Sequence, residues 1–495
     1  MVDVETSRPR KAGAKSVQHY IDELPAWSDG TRLKSPPMTA MQWSIWTLAA
    51  AGKFFEGFVV FMTGVALPLI VREFHLGAAN KGIASAGSLA GILVGALLLG
   101  GLSDYFGRKR MFIAEMILFT AFLALLILST NFASLAICLF GLGMALGCDY
   151  PTAHMIISES TPSANRGKLV LGAFAFQAVG ALAGTGIGCL VLEQDPTLGA
   201  WRWMFATVLI PALIVTIGRF FITESPSWLA VRGAHDAAEK AAIRLLKREP
   251  QYPAEIRLAR PASGHESRSG QSFFTLFKER NRRATILASV PWFLQDLSTY
   301  GIGIFTPTIL AAALGGPPDH IRSLSDVIAN DILAAKGAAM ITVLLIVGIL
   351  FAVVLADRLG RIWLQAAGFI GCAVGLLIAS CSIGASGESK IFLIFAGFML
   401  FDFMTNLGPN SQTYLLAGEV FPTEVRGMGA GFAAAFGKIG AVTTAFMFPI
   451  MLSAIGTRLL LYVLVVSSLL GAVVTWLYRI ETTGVSLDEI GRSSS

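Results

Sequence analysis

The chain has 495 residues and an unusually apolar composition, because 54% of them are hydrophobic and only 14% are charged. Soluble proteins carry about 25% charged residues, and a soluble chain could not hide this much apolar surface. The formal net charge of +6 does not indicate nucleic-acid binding, since in such a chain the positions of lysine and arginine matter more than their sum. Composition excludes disordered, fibrous and disulfide-stapled proteins and indicates an all-α polytopic membrane protein.

Twelve apolar runs, each long enough to cross a bilayer, follow one another along the chain. The first six cover roughly residues 43–71, 79–100, 111–129, 132–156, 168–192 and 203–222. The other six cover roughly residues 284–314, 333–356, 363–383, 391–417, 428–453 and 458–479. The predicted organisation is a tail over 1–42, a six-helix bundle over 43–222, a central loop over 223–283, a second six-helix bundle over 284–479 and a tail over 480–495.

The basic residues are distributed unevenly between the two sides of the predicted membrane. Of the 38 lysines and arginines, 28 lie in the tails and the loops on the side of the termini, and six lie in the loops on the other side. Cytoplasmic loops are enriched in lysine and arginine. We therefore expect an integral protein of a plasma membrane, the inner membrane in a bacterium, with both termini and the central loop 223–283 in the cytoplasm.

Three loops of the first half recur in the second half at offsets of 253 to 260 residues. Matched positions at nearly one offset indicate two parallel halves of six helices each. The acidic and basic residues of these loops predict conformational latches between helices, which switch during transport and do not bind substrate. The predicted latch residues are Asp104, Gly107, Arg108, Glu159 and Arg166 in the first half, and Asp357, Arg361, Glu419 and Arg426 in the second. A third pair of loops begins at Glu224 and at Glu481.

These loops resemble those of the major facilitator superfamily, and the resemblance covers about residues 40–490. The loop 100–109 matches the best-known signature of that superfamily, and the loops 224–229 and 418–427 resemble its sugar-porter-like group. Further stretches are similar to the phosphate–proton symporters, namely 147–159, Trp292 with Asp296 and Tyr300, 408–410 and 437–438. The resemblance implies twelve transmembrane helices in two pseudo-symmetric bundles. That symporter family usually has two aspartates in the first span, where this chain has Glu56, so the resemblance favours proton symport more than phosphate as the substrate.

Ionisable side chains within the apolar runs are the strongest candidates for function, because each costs about 2.5 kcal/mol or more at mid-membrane unless it faces a cavity or a partner. Lys53 and Glu56 share a face of the first span, either as a self-neutralising pair or as a proton-binding carboxylate with a cation beside it. Asp149 in the fourth span has no lysine or arginine within a turn of its own helix, which favours a role in proton coupling. His154 is more typical of a structural group.

Polar residues recur at every fourth position in the seventh and tenth spans. Trp292, Asp296 and Tyr300 lie on one helical face, as a site for a polar substrate requires. An aromatic belt could explain the tryptophan and the tyrosine, but Asp296 lies too deep in the span for that alternative. Asn410 lies beside a glycine–proline break that could open the helix towards a cavity, and the alternative for it is a hydrogen bond between helices.

Lys438 in the eleventh span and Gln177 in the fifth occupy equivalent places in the repeat. A membrane-buried cation needs a carboxylate or an anionic ligand, so Lys438 indicates a negatively charged substrate, and pairing with Asp402 or another acid is the competing explanation. The predicted substrate-binding residues are Tyr150, Gln177, Trp292, Asp296, Tyr300, Asn410 and Lys438. The predicted proton-coupling residues are Glu56, Asp149 and Asp296.

The leading interpretation is a secondary active transporter that moves a small anionic metabolite, either an organic acid or phosphate, by alternating access with proton symport. The alternatives are a sugar or polyol symporter with protons and a non-transporting nutrient sensor on the same fold. A membrane enzyme is disfavoured, because no catalytic constellation, metal-ligand spacing or nucleotide-binding loop occurs in the sequence. We expect no cofactor, no bound metal and no nucleic-acid partner, and a monomer in the lipid bilayer.

Overall fold

The computed structural model describes residues 15–24, 36–98, 102–163, 166–247, 256, 258, 273–314, 324–422 and 425–482. Within these residues the fold is helical. The helices up to residue 245 are α1 (Val17–Asp22), α2 (Ala40–Glu73), α3 (Ala78–Leu98), α4 (Leu102–Phe106), α5 (Arg108–Ile127), α6 (Phe132–Ser160), α7 (Arg166–Gln194), α8 (Ala200–Phe221), α9 (Pro226–Val231) and α10 (His235–Leu245). The remaining helices are α11 (Glu279–Leu314), α12 (Leu324–Leu359), α13 (Arg361–Cys381), α14 (Gly387–Leu407), α15 (Pro409–Glu419) and α16 (Arg426–Leu477).

Ten of the helices in the described ranges are long and apolar enough to cross a membrane. The helix α11 has 36 residues, ample length for a further span, but it carries the polar face predicted for the seventh run. The helix α16 holds two spans, because Gly456 interrupts its helical backbone with a φ of 75°. The broken tenth span corresponds to α14 and α15, which meet at Gly408. The prediction of twelve transmembrane helices in two bundles is confirmed.

The outer surface of the bundle suits a lipid environment. Large apolar side chains remain exposed along the long helices, for example Leu98, Trp203, Ile210, Leu350, Phe392 and Leu477. Exposed patches of this extent mark contact with another apolar phase, which for spans of this length is the bilayer. The apolar residues whose number excluded a soluble protein therefore lie on the lipid-facing surface as well as in the core.

The loops on one side of the bundle include α4, α9 and α10, and we call this side the loop face. There the N-terminus of α2 is held by a capping box, in which Thr39 accepts from the backbone N–H of Gln42 and Gln42 accepts from that of Thr39. Both side chains also reach neighbouring helices, since Thr39 donates to the carbonyl of Leu245 and Gln42 to that of Ser160. These bonds fix where the first span begins relative to α6 and α10.

The helices α2 and α7 pack backbone against backbone in the middle of the bundle. A Cβ at Gly57 would lie 2.0 Å from the carbonyl oxygen of Gln177, and a Cβ at Gly180 would lie 2.0 Å from that of Phe54. Small residues permit such close approach between membrane helices. This contact sets the rotation of both helices and brings Glu56 and Gln177 towards the centre of the protein.

Candidate transport site

A small cavity lies midway along the spans, between the two six-helix halves. It has a volume of about 20 Å³, room for a single water molecule. Its walls come from α2 and α7 of the first half and from α11, α12, α14 and α15 of the second, and the lining residues are Phe61, Gln177, Ala178, Ala181, Thr299, Tyr300, Leu345, Asn406 and Asn410. Three predicted substrate-binding residues, Gln177, Tyr300 and Asn410, therefore meet at one place.

The hydroxyl of Tyr300 is the meeting point of four helices. It accepts hydrogen bonds from Lys438 Nζ at 2.7 Å and from Gln177 Nε2 at 3.1 Å, and it donates to Glu56 Oε1 at 3.2 Å. A phenol offers one donor and two acceptor positions, so these three partners use its full capacity. The bonds link α2 and α7 in one half to α11 and α16 in the other.

Two lysines and two carboxylates surround this hydroxyl. Lys53 Nζ lies 2.7 Å from Glu56 Oε2, while Lys438 Nζ lies 3.4 Å from Glu56 Oε1 and 3.4 Å from Asp296 Oδ2. All four side chains are buried. Two positive and two negative charges in contact sum to zero, which is how buried ionised groups are tolerated. In this structure Lys438 pairs with acids, and its partners are Glu56 and Asp296.

Asp149 belongs to a separate cluster within the first half. Its Oδ1 accepts from Arg219 Nη2 at 2.6 Å, and Arg219 Nη1 also donates to Glu115 at 2.9 Å and to the carbonyl of Phe112 at 2.6 Å. The partner that the fourth span lacks on its own helix thus comes from α8. Arg219 and Glu115 were missed among the site residues, although each is an ionisable group within an apolar run and could have been found by that criterion.

The loop-face side of the centre is closed by aromatic side chains. Tyr414 stacks on Phe174 across the two halves with ring centroids 4.6 Å apart, and Trp292 and His154 contact its edges. Below these rings a cavity of about 430 Å³, lined by Trp292, His154 and Glu159 among others, lies on the loop-face side. Trp292 is therefore placed between this cavity and Asp296 of the polar cluster, with which its side chain interacts.

The opposite side of the centre is closed by close helix packing. A Cβ at Gly64 would lie 2.3 Å from the carbonyl oxygen of Ile304, so α2 and α11 are in backbone contact there. The rings of Phe305 and Phe448 stack at 4.5 Å on the same side. Beyond them lies a cavity of about 620 Å³, whose lining includes Arg72 and Phe305. The centre is thus separated from a larger cavity on each face.

The loops of the two halves form the same set of contacts. In the first half Arg108 Nη2 lies 3.1 Å from Glu159 Oε1, and the hydroxyl of Ser225 donates to Glu159. Glu224 Oε1 accepts from the backbone N–H of Lys109 at 2.9 Å.

In the second half Arg361 Nε lies 3.3 Å from Glu419 Oε2, and Thr482 donates to Glu419. Glu481 accepts from the backbone N–H of Arg361 at 3.1 Å and from that of Ile362, the counterpart of Lys109, at 3.3 Å. Gly107 and Gly360, which precede α5 and α13, have φ values of 105° and 90°, a backbone conformation that favours glycine. The repeated sequence therefore corresponds to a repeated ion-pair geometry, to which Glu224 and Glu481 belong as well.

Some predicted residues lie outside these contacts. Arg166 donates to Ser163 at 3.3 Å. Asn410 donates to Asn406 at 2.6 Å, which ties the two sides of the break in the tenth span. The side chains of Asp104, Tyr150, Asp357 and Arg426 lie outside the described part of the structure.

Comparison with known proteins agrees with this architecture. The family model described as "Sugar (and other) transporter" matches residues 45–493. The inner membrane metabolite transport protein YgcS of Escherichia coli is 28% identical over 93% of this chain and 96% of the relative. A putative inorganic phosphate transporter of Schizosaccharomyces pombe is 27% identical over 92% of this chain and 89% of the relative.

Among solved structures, the xylose transporter XylE of Escherichia coli, in a partially occluded inward-open conformation, matches with a TM-score of 0.71 and 20% identity. The match covers 90% of this chain and all of that one, and it shows the shared fold. The expected resemblance is confirmed, and the protein is a membrane transporter and not an enzyme. The chain belongs to the sugar transporter family of the major facilitator superfamily.

Proposed function

We propose that this transporter carries a small anionic metabolite, an organic acid or phosphate, together with protons. The observation that carries the proposal is the buried Lys438, which projects from α16 to the junction of the two halves and contacts Glu56 of the other half. A lysine at mid-membrane is costly, and such residues usually line substrate or ion routes. An anionic substrate would supply a further partner for this cation.

Proton coupling follows from the balance of charge at the centre. Lys53 and Lys438 are offset by Glu56 and Asp296, so a substrate anion added to this cluster leaves it with one excess negative charge. A buried excess charge in an apolar surrounding is strongly unfavourable. One proton on Glu56 or Asp296 restores neutrality, and for this reason substrate and proton would enter and leave together.

Alternating access is supported by the two larger cavities, one on each face, and by the two matched loop clusters. The Arg108–Glu159 and Arg361–Glu419 contacts each tie helices within one half, so each half can move as a unit. The excess of basic residues favours a cytoplasmic location for the loop face. The protein would then lie in a plasma membrane, the bacterial inner membrane in a bacterium, and work as a monomer.

The experiment is uptake by purified protein in proteoliposomes with an imposed inward proton gradient. We expect concentrative uptake of an anion from a panel of inorganic phosphate, lactate, succinate and gluconate, with glucose and xylitol as neutral comparisons. A protonophore should abolish accumulation while leaving exchange intact. Accumulation of only the neutral sugars would favour the sugar or polyol symporter, and accumulation that depends on sodium and ignores the protonophore would exclude proton coupling.

A further inference from the structure

The carboxylate of Glu56 is divided between two cations. Its Oε2 faces Lys53 Nζ at 2.7 Å, and its Oε1 faces Lys438 Nζ at 3.4 Å and the hydroxyl of Tyr300 at 3.2 Å. Two ammonium groups and a phenolic O–H around a planar carboxylate form the donor set that a carboxylate ligand requires. The side chain of this chain's own glutamate therefore fills what would otherwise be an anion site.

Asp296 is placed differently from Glu56. It projects from α11, and its Oδ2 lies 3.4 Å from Lys438 Nζ. Asp296 thus contacts one of the two lysines, whereas Glu56 contacts both. The two carboxylates thus differ in geometry, and the position between the lysines belongs to Glu56.

The charged and titratable groups that face Glu56 come from four helices. They are Lys53 on its own helix, Asp296 and Tyr300 on α11, Tyr414 on α15 and Lys438 on α16, while Asp149 on α6 lies near Lys53. Asp149 is held by Arg219, as described above. On the remaining side α7 contributes the neutral amide of Gln177 through Tyr300. Lys53 and Lys438 are thus the cations in direct contact with the Glu56 carboxylate.

We propose that Glu56 is a tethered substitute for the substrate carboxylate and is displaced by it during transport. The inference rests on the proposed function and deepens it. In the substrate-free protein Glu56 contacts both lysines and, together with Asp296, offsets their charge. Protonation of Glu56 removes its charge and weakens its contacts with both lysines. The carboxylate of the substrate then makes the contacts with Lys53, Lys438 and Tyr300. When the proton leaves, the glutamate anion competes again and expels the substrate.

The surroundings also indicate the rest of the ligand. Beside Tyr300 the central cavity is lined by uncharged hydrogen-bonding side chains, namely Gln177, Thr299, Asn406 and Asn410. Amides and hydroxyls of this kind bind the hydroxyl groups of a substrate. The substrate class is therefore a hydroxylated carboxylate, for which gluconate is a suitable probe. Glucose is the matched neutral compound, and inorganic phosphate is the matched anion without a carboxylate.

The test measures binding of gluconate, glucose and phosphate to purified protein between pH 5.5 and 8, by calorimetry and by thermal shift. Binding of gluconate takes up one proton when Glu56 is ionised in the free protein and protonated in the complex. In that pH range the affinity of wild type for gluconate should fall roughly tenfold per pH unit. Glu56→Gln should bind gluconate at pH 8 at least about tenfold more tightly than wild type, with little dependence on pH.

Asp402→Asn is the matched control, since Asp402 is a buried carboxylate in the tenth span and no ion pair to it occurs among the described residues. This variant should retain the wild-type pH dependence. A Glu56→Gln variant that keeps the pH dependence of wild type would overturn the proposal. Should that variant fail to fold, a pH-indicator dye on the wild-type protein decides, because uptake of one proton per gluconate supports the exchange and uptake of none refutes it.

The outcomes separate this inference from the proposed function. If wild type binds and accumulates phosphate but not gluconate, the tethered-carboxylate inference fails while anion–proton symport stands. If it binds glucose alone and without proton uptake, both fail. Tight gluconate binding that becomes independent of pH in Glu56→Gln supports both.

Discussion

The guanidinium of Arg219 donates to Asp149 over 2.6 Å, and both groups are buried in the first six-helix half. The same guanidinium contacts Glu115 at 2.9 Å and lies 3.4 Å from the centroid of the Phe112 ring. One cation thus serves two carboxylates on two other helices. Asp149 has a structural partner as well as its predicted role in proton coupling, and the two roles can be separated by experiment.

Arg219→Met should strongly destabilise the protein, because it leaves two buried carboxylates without their cation. Loss of one partner of a buried ion pair costs about 3–5 kcal/mol. The thermal unfolding midpoint in detergent should fall clearly, and the triple variant with Glu115→Gln and Asp149→Asn should recover much of the loss. An unchanged midpoint in the single variant would contradict a structural role for this cluster.

The effects of Asp149→Asn and Asp296→Asn on proton-driven accumulation test whether both aspartates carry a coupled proton. Asp296 contacts Lys438 at the centre, so Asp296→Asn should preserve binding and reduce accumulation to near equilibrium. If Asp149 also carries a coupled proton, Asp149→Asn gives the same result with a normal unfolding midpoint. Full accumulation by Asp149→Asn would assign that residue to the Arg219 cluster alone. Proteoliposome uptake with and without a protonophore makes the comparison.

Lys438→Ala should weaken binding of an anionic substrate by about tenfold or more and leave binding of a neutral analogue much less affected. The reason is that the substituted site loses a charged donor at the junction of the halves. Binding of gluconate and glucose to the same preparation, followed by thermal shift, provides the measurement. Equal losses for both ligands would indicate a packing defect and count against anion recognition by this lysine.

Glu159→Gln should slow turnover about tenfold while leaving substrate affinity near that of wild type. Glu159 ties Arg108 and Ser225 at the loop face and lies away from the central cluster. Glu419→Gln is the matched variant in the second half and should have a similar effect, because its contacts are equivalent. Equilibrium binding and exchange rates distinguish the two quantities. A collapse of affinity with normal turnover would contradict the interpretation of these loops as latches.

The helix count, the two-fold repeat and the family could be predicted from the sequence. Each span must satisfy its backbone hydrogen bonds internally and present about 20 apolar residues to lipid, so its signal lies within one stretch of chain. The Lys53–Glu56 contact is local in the same sense, since residues three apart on a helix are neighbours. The shared face of Trp292, Asp296 and Tyr300 can be predicted for the same reason, because residues four apart on a helix are neighbours.

Only the tertiary structure decided which distant residues meet. Tyr300 bonds Glu56 across 244 residues of chain, and Arg219 reaches Asp149 across 70. These pairings depend on how far each helix is rotated about its axis and how closely its neighbours approach, as at the backbone contact between Gly57 and Gln177. Rotation and approach are set by the packing of several helices at once. The sequence of one span therefore shows that a buried charge requires a partner. The packing of the other spans determines which residue that partner is.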